Sequence, residues 1–163
     1  MNTILDKPAP EAARELIGKI LVRRLPDGNV ICVRITETEA YYGEADTACH
    51  ASRGRTKRAE VLYHPAGTIY VYLCYGIHWM LNLVTGAADD PQAVLIRGVE
   101  GVSGPGRVTK FLAIDKTLND TMLGEGLSLE DDGFRPETEA SPRIGIGYAS
   151  EEDQARLWRF TAI

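Results

Sequence analysis

Two carboxylates and two phenols stand close together in Thr36-Glu37-Thr38-Glu39-Ala40-Tyr41-Tyr42-Gly43. An acid half-buried beside a flat ring makes a pocket for an aromatic base. Two residues apart on a strand, Glu37 and Glu39 also lie roughly 7 Å from each other, inside the range of about 6.5–9.5 Å that inverting glycosidases use. The stretch therefore admits a base-binding site or a two-acid carbohydrate hydrolase. The bland alternative is a pair of glutamates solvated or matched with arginines, since Glu is seldom fully buried unpaired. Downstream, His50, the aromatic run Tyr70-Val71-Tyr72-Leu73-Cys74-Tyr75 and the arginine that ends Leu95-Ile96-Arg97 are the other side chains with chemistry to offer. Tyrosines on one face pack a core, the commoner use, or stack on nucleobases. Taken alone, His50 reads as a surface or core histidine and Arg97 as a salt-bridge partner, although an arginine there can also fix a phosphate.

These groups need strands to present them. Val30-Ile31-Cys32-Val33-Arg34-Ile35 is β-branched, and a period of two puts Ile31, Val33, Ile35, Glu37, Glu39 and Tyr41 on one face. That face begins apolar, so it points into the core and delivers the carboxylates at the core's edge. A strand over 19–25 precedes it through Pro26-Asp27-Gly28-Asn29, where proline presets φ and Gly28 or Asn29 takes φ > 0. Residues 11–17, led by Pro8 and Pro10 and stopped by Gly18, read as a short helix packed by Ala12, Ala13, Leu16 and Ile17. The acid-rich segment 44–51 reads as one or two helical turns that carry His50 back toward the strand end. Residues 68–84 read as two strands around a tight bend at Tyr75-Gly76, with Tyr70 and Tyr72 on one face. Ala93-Val94-Leu95-Ile96 is a short buried strand. Ser103-Gly104-Pro105-Gly106 opens a helical spacing over 107–114, whose start, with Arg107 and Lys110, can hold a DNA phosphate; it lacks the spacing of an ATP-binding loop. Residues 115–142 are acidic and turn-rich, 143–148 allow close backbone approach at two glycines, and Trp158-Arg159-Phe160 is a terminal strand.

At 163 residues the chain fits one domain, 1–163, which buries roughly 70% of its unfolded surface. No apolar run reaches the ~20 residues of a membrane helix. The first residues lack the basic and apolar regions of a signal peptide, so a cytoplasmic location is expected. Cys32, Cys49 and Cys74, odd in number and without CxxC spacing or a histidine grid, predict reduced thiols and no structural metal. A net charge of −5 argues against an extended nucleic-acid coat. The charge is uneven, however: Arg53, Arg55, Lys57 and Arg58 fall within six residues, whereas 115–153 holds eleven acids against Lys116, Arg135 and Arg143. One basic face on an acidic body fits both facts.

In order and spacing, Glu37-Thr38-Glu39-Ala40-Tyr41, His50, Tyr70-Val71-Tyr72-Leu73-Cys74-Tyr75-Gly76 with Asn82, and Leu95-Ile96-Arg97 resemble the alkyladenine DNA glycosylase family, also called methylpurine-DNA glycosylases. The likeness runs from Leu16 nearly to the C-terminus. It implies an α+β fold, a single mixed domain with a curved, mainly antiparallel sheet flanked by short helices, and no metal or other cofactor. It implies a monomer whose partner is double-stranded DNA containing damaged purines, met at the nucleoid. By the same resemblance, Glu39 activates a water that attacks C1′ of a flipped nucleotide, while Tyr41, His50 and Tyr72 enclose the base. Asn82 meets the exocyclic amino group of guanine and Ile146 forms the pocket wall. Tyr75 fills the gap left in the stack, and Arg97 contacts the DNA backbone.

The implied reaction is monofunctional hydrolysis of the N-glycosidic bond of alkylated or deaminated purines, the class of 3-methyladenine, 7-methylguanine, hypoxanthine and ethenoadenine. Thr56-Lys57-Arg58-Ala59 and Leu62-Tyr63 depart from the Thr-Pro-Arg-Asn and Met-Phe usual in the family, which bears on contacts to the strand opposite the lesion. The segment after Arg97 is also short. The reading from another class is a catalytically idle binder of distorted DNA that keeps Tyr75 and the pocket.

Overall fold

The structure is a computed structural model and describes residues 2–163. In chain order its elements are α1 (Asn2–Leu5), α2 (Ala9–Leu16), β1 (Ile20–Arg24), β2 (Val30–Tyr42), β3 (Thr68–Cys74), β4 (His78–Val84), β5 (Gln92–Val99), β6 (Val102–Ser103), α3 (Pro105–Phe111), β7 (Thr121–Met122), β8 (Leu127–Glu130), β9 (Thr138–Ser141), α4 (Glu151–Ala155) and β10 (Arg159–Ala162). The strands run β7-β3-β4-β5-β2-β1-β8, with β10 and β9 added beside the far half of β2 and β6 beside β5. Neighbouring strands run antiparallel. The result is α+β, a sheet left open with short helices against it.

β2 is the spine of the sheet. Its first half pairs with β1 across the turn at Pro26-Asp27-Gly28-Asn29, where Gly28 has φ +92°. Its second half lies between β5 and β10. α2 packs on one face of it through Ala9, Ala12, Ala13 and Leu16, all at 0% exposure. Alanines let the helix axis come close to the sheet, and Thr38 Oγ1 donates to the Ala13 carbonyl at 2.8 Å. The core continues through Ile35, Ile69, Leu81, Leu83 and Ile96, each such side chain contributing about 1.5–3 kcal/mol on burial.

The single face expected for Ile31, Val33, Ile35, Glu37, Glu39 and Tyr41 is broken. The register between β2 and β5 slips between Ile35 and Glu37 and again between Glu37 and Thr38. Val33 and Ile35 belong to the core, but their successors there are Ala40 and Thr38, the latter bonded to α2. On β5 the core side passes in the same way from Val94 and Ile96 to Val99. The irregularity thus turns Glu37, Glu39 and Tyr41, with Leu95 and Arg97, toward the side away from α2. Gly98 sits where the strands crowd: a Cβ there would stand 3.1 Å from the Glu37 Cβ.

Other expectations need correction. Within segment 44–51, residues 44–49 form turns and a 3-10 turn (His50–Arg53) starts at His50, because Asp46 accepts from the Tyr42 and Ala48 amides and closes the chain on itself. Region 115–142 is not merely loop, since β7, β8 and β9 lie in it; strands of two to four residues carry too little alternation to read. The expected helix over 107–114 begins earlier and stops at Phe111, and Ala113 has φ +52°. Cys32 is exposed, Cys49 buried and Cys74 half-buried, none of them bonded to another. Among the described residues no helix is long and apolar enough to cross a membrane.

Gly98→Ala is expected to lower stability by about 1–3 kcal/mol, the usual range for crowding a packed site. Urea unfolding followed by circular dichroism checks it; an unchanged midpoint would show that the irregularity has room for a methyl group.

Candidate active site

On the side of the sheet turned away from α2 lies a pocket of about 760 Å³. Tyr41, His50, Tyr72, Tyr75, Arg97 and Ile146 line it, together with Arg58 and Tyr148. A narrow inner recess of about 30 Å³ lies between Tyr41, His50, Tyr70, Tyr72 and Asn82. Side chains far apart in sequence are thus brought to one cleft. Arg107 and Lys110 are not in its walls; both are exposed on α3, whose Pro105 reaches the rim.

Glu39 is 0% exposed and sits behind the pocket wall. Its Oε1 accepts from the Tyr41 hydroxyl at 2.8 Å, its Oε2 accepts from the Ile144 amide at 2.7 Å, and Arg97 Nη1 stands 3.6 Å from Oε1. Burial raises the Glu39 pKa above the ordinary value, while Arg97, the Ile144 amide, the Tyr41 hydroxyl and Arg143 pull it back. Burial and the adjoining Glu39 hold the Tyr41 pKa well above a normal phenol, so Tyr41 remains the donor. Each carboxylate oxygen has a second lone pair for a further donor.

Glu37 is used otherwise. Arg159, whose backbone partner across the strands is Glu39, reaches Glu37 Oε2 with Nη1 at 2.6 Å, and Arg97 Nε is 3.4 Å from the same Glu37 oxygen. Arg97 therefore spans both glutamates, and the salt-bridge role is the one seen for it. Glu37 is thus committed to two arginines rather than standing free beside Glu39, which does not favour the pair of open carboxylates that a two-acid hydrolase would use.

The aromatic groups form the pocket's other wall. Alternation along β3 puts Tyr70 and Tyr72 together, ring centroids 5.3 Å apart, and His50 meets Tyr72 edge-on at 4.5 Å. His50 Nδ1 is 2.8 Å from the Tyr70 hydroxyl. Burial, with Arg58 adding to it, lowers the His50 pKa to about 4, so the imidazole is neutral at physiological pH. Asn82 lies beneath, its Nδ2 donating to the Tyr70 and Met80 carbonyls at 3.3 and 3.4 Å. Tyr75 stands at the tip of the β3–β4 hairpin, 89% exposed. Tyr75 and Gly76 have φ +52° and +67°, and the Ile77 amide closes the turn on the Cys74 carbonyl at 3.1 Å. This is the type I′ pattern that suits the twist of two strands.

A family model described as methylpurine-DNA glycosylase (MPG) matches residues 3–162. The chain belongs to this family. Relatives named "Putative 3-methyladenine DNA glycosylase" include those of Psychrobacter cryohalolentis, 43% identical over 93% of this chain and 85% of the relative. Those of Methanocella arvoryzae, 44% identical over 95% and 88%, and Borreliella afzelii, 43% identical over 93% and 89%, carry the same name. As a member of the family the chain is a DNA glycosylase, a hydrolase of DNA repair.

Two parts of this glycosylase's site were not legible beforehand. Arg143 and Asp46, 97 residues apart, form a fully buried bidentate pair at 2.7 and 3.0 Å, and Arg143 also donates to the Ala40 carbonyl at 2.9 Å. The pair ties the loop carrying Ile144 to the end of β2, and so brings the Ile144 amide to Glu39. An arginine in a glycine-rich run and an aspartate in a turn give no sequence sign that they will meet. Arg58 is the second: its guanidinium lies 4.8 Å over the Tyr72 ring, and no salt bridge holds it among the described residues, whereas Arg55 is bound by Glu60 and Asp89. Among the described residues no group of three His, Cys, Asp or Glu is placed to hold a metal.

Arg143→Met leaves Asp46 buried without its partner and is expected to cost about 3–5 kcal/mol in urea unfolding; a loss under 1 kcal/mol would mean the pair is not structurally required. For His50 the native pKa near 4 lies below the unfolded value of about 6.5. The unfolded state then binds the extra proton, so its contribution is complete above pH 6.5 and stability falls between about pH 6.5 and 4, on the order of 3 kcal/mol. His50→Gln should flatten that part of the stability profile, which unfolding at pH 7 and 4.5 measures.

Proposed function

We propose that the protein excises damaged purines from double-stranded DNA by flipping the nucleotide into the pocket and hydrolysing its N-glycosidic bond with a water activated by Glu39. The observation that carries this reading is the placing of Glu39: a wholly buried carboxylate, tethered at both oxygens, behind a pocket walled by tyrosines and a neutral histidine. A base inside a duplex cannot be reached, so it must leave the stack. Tyr41, His50 and Tyr72 supply surfaces for it, Asn82 lies at the back of the recess, and Ile146 closes the wall. Tyr75, already extended, fills the gap, as wedge side chains do at other kinked steps. Arg58 rests where the base would stack on Tyr72; on displacement its guanidinium becomes available to a phosphate of the flipped nucleotide. Arg107 and Lys110, exposed on α3, whose Pro105 reaches the rim, would meet the backbone.

In the chemical step the water oxygen bonds to C1′, the C1′–N9 bond breaks with its electrons passing to the purine, and Glu39 takes the proton. Arg97 and the Ile144 amide keep the carboxylate fixed and aimed. Purines methylated at N3 or N7 carry a positive charge and leave as neutral bases. Hypoxanthine must be protonated as it leaves, and His50, neutral at physiological pH, does not supply that proton. Product is an abasic site, and among the described residues the side chains within reach of Glu39 are Tyr41 and Arg97, not a lysine that would act as a lyase nucleophile.

Single-turnover release of 3-methyladenine, 7-methylguanine and hypoxanthine from duplex DNA tests the reading. Glu39→Gln is expected to lower release by about 10²–10⁴-fold while lesion duplex still binds. Because Glu39's pKa is raised, release of cationic bases should decline as pH falls through a value above the usual carboxylate range, whereas hypoxanthine should show a bell-shaped profile. Tight binding by wild type without release of any base would instead select the non-catalytic binder.

A further inference from the structure

Arg58 stands where the proposed reading seats a base. Its guanidinium lies 4.8 Å over the Tyr72 ring and forms part of the pocket wall. Its charge is felt by the neighbouring rings as well. Burial lowers the His50 pKa and Arg58 adds to that, while burial pushes the Tyr70 phenol up to about 12 and Arg58 draws it back. These three rings border the inner recess, whose volume of about 30 Å³ holds about two waters and no purine. A base entering the recess must therefore extend over Tyr72 into the outer pocket, where the guanidinium already lies.

No acid claims this arginine among the described residues, since Glu60 and Asp89 are taken by Arg55. Its backbone, by contrast, is fixed. The Ala59 amide donates to Thr56 Oγ1 at 3.2 Å, and Ala59, Val61, Leu62 and Tyr63 in the 3-10 turn that follows are buried. The exposed side chain can swing on that anchor without disturbing the fold. A guanidinium is planar, delocalised and weakly hydrated, so it stacks on an aromatic face much as a purine does. Arg58 is thus shaped to fill the site and free to leave it.

We infer that Arg58 is the pocket's own occupant, a plug that every entering purine must displace from Tyr72 and that keeps unattached bases from lodging there. The inference rests on the reading of this pocket as the seat of a flipped purine. A ligand that competes with an internal occupant binds more weakly by the fraction of time the site is open. For a nucleotide in DNA that loss is offset when its phosphate receives the displaced guanidinium. A free base has no phosphate, so the plug acts most strongly on the excised base and opposes its return.

Equilibrium dialysis of free 3-methyladenine and hypoxanthine against the protein without DNA isolates the plug from any phosphate contact. Wild type is compared with Arg58→Ala and with Lys57→Ala, which removes the adjacent exposed charge. Arg58→Ala should bind both bases about 2–30-fold tighter than wild type, the worth of a single cation–π stack, and Lys57→Ala should match wild type. Equal affinity in wild type and Arg58→Ala overturns the proposal, as does weaker binding by Arg58→Ala, which would mean that Arg58 holds the base. A gain of the same size in Lys57→Ala overturns it in favour of general loop charge, and absence of binding to all three proteins overturns it too. Single-turnover release of hypoxanthine from duplex by the same wild-type preparation keeps the two readings apart. Release with unchanged free-base affinity removes the plug alone, whereas no release removes the glycosidic reaction and leaves a tighter-binding Arg58→Ala as evidence for the plug.

Discussion

The geometry of the site depends on one local constraint, the double slip of register where Glu37 faces Gly98. Uninterrupted strands would carry the acids of β2 to the side where α2 packs. There Glu39 would meet the alanines of a helix, with neither arginine nor cavity. The slip leaves Thr38 and Ala40 to satisfy the helix and turns Glu39, Tyr41, Leu95 and Arg97 outward together. Two adjacent strands change side at the same level, so their functional residues stay aligned with each other. Glycine at 98 makes this possible by leaving space for the Glu37 side chain.

Around that point the charges are nearly balanced. Glu37, Glu39 and Asp46 are answered by Arg97, Arg143 and Arg159. Such pairing is what allows carboxylates to lie in a poorly solvated region at all, since single charges there are strongly disfavoured. The arrangement also separates tasks. Arg159 fixes Glu37, Arg143 fixes the loop that carries the Ile144 amide, and Arg97 joins the two glutamates. Glu39 is left with its Coulombic attraction to Arg97 and two neutral hydrogen-bond donors.

Much of this was readable in the sequence, and the failures have physical causes. The helix expected over 11–17 and found at 9–16, the hairpin through Gly28, the paired tyrosines of β3 and the bend at Tyr75-Gly76 announce themselves through period, proline and glycine. The family motifs named the residues that the fold collects in one cleft. Alternation alone assigns Glu39 to the face of Ile31 and Val33, because it counts residues and cannot register an irregularity that depends on a neighbouring strand. The Arg143–Asp46 pair and the position of Arg58 were invisible for the same reason: both are products of tertiary contact. The acids of segment 44–51 suggest one or two helical turns, but one of them, Asp46, closes a turn and binds an arginine from far along the chain.

The hairpin tip has a consequence for how such an enzyme would travel on DNA. Tyr75 is held outward by two successive residues at positive φ, an arrangement the chain adopts with no duplex beside it. On the proposed reading, insertion then requires no rearrangement of the protein, only the opening of a base step. Steps already loosened by damage open most easily. The enzyme would therefore sample a duplex as a rigid probe samples a surface, and its dwell time at each step would be governed by the local stiffness of the DNA.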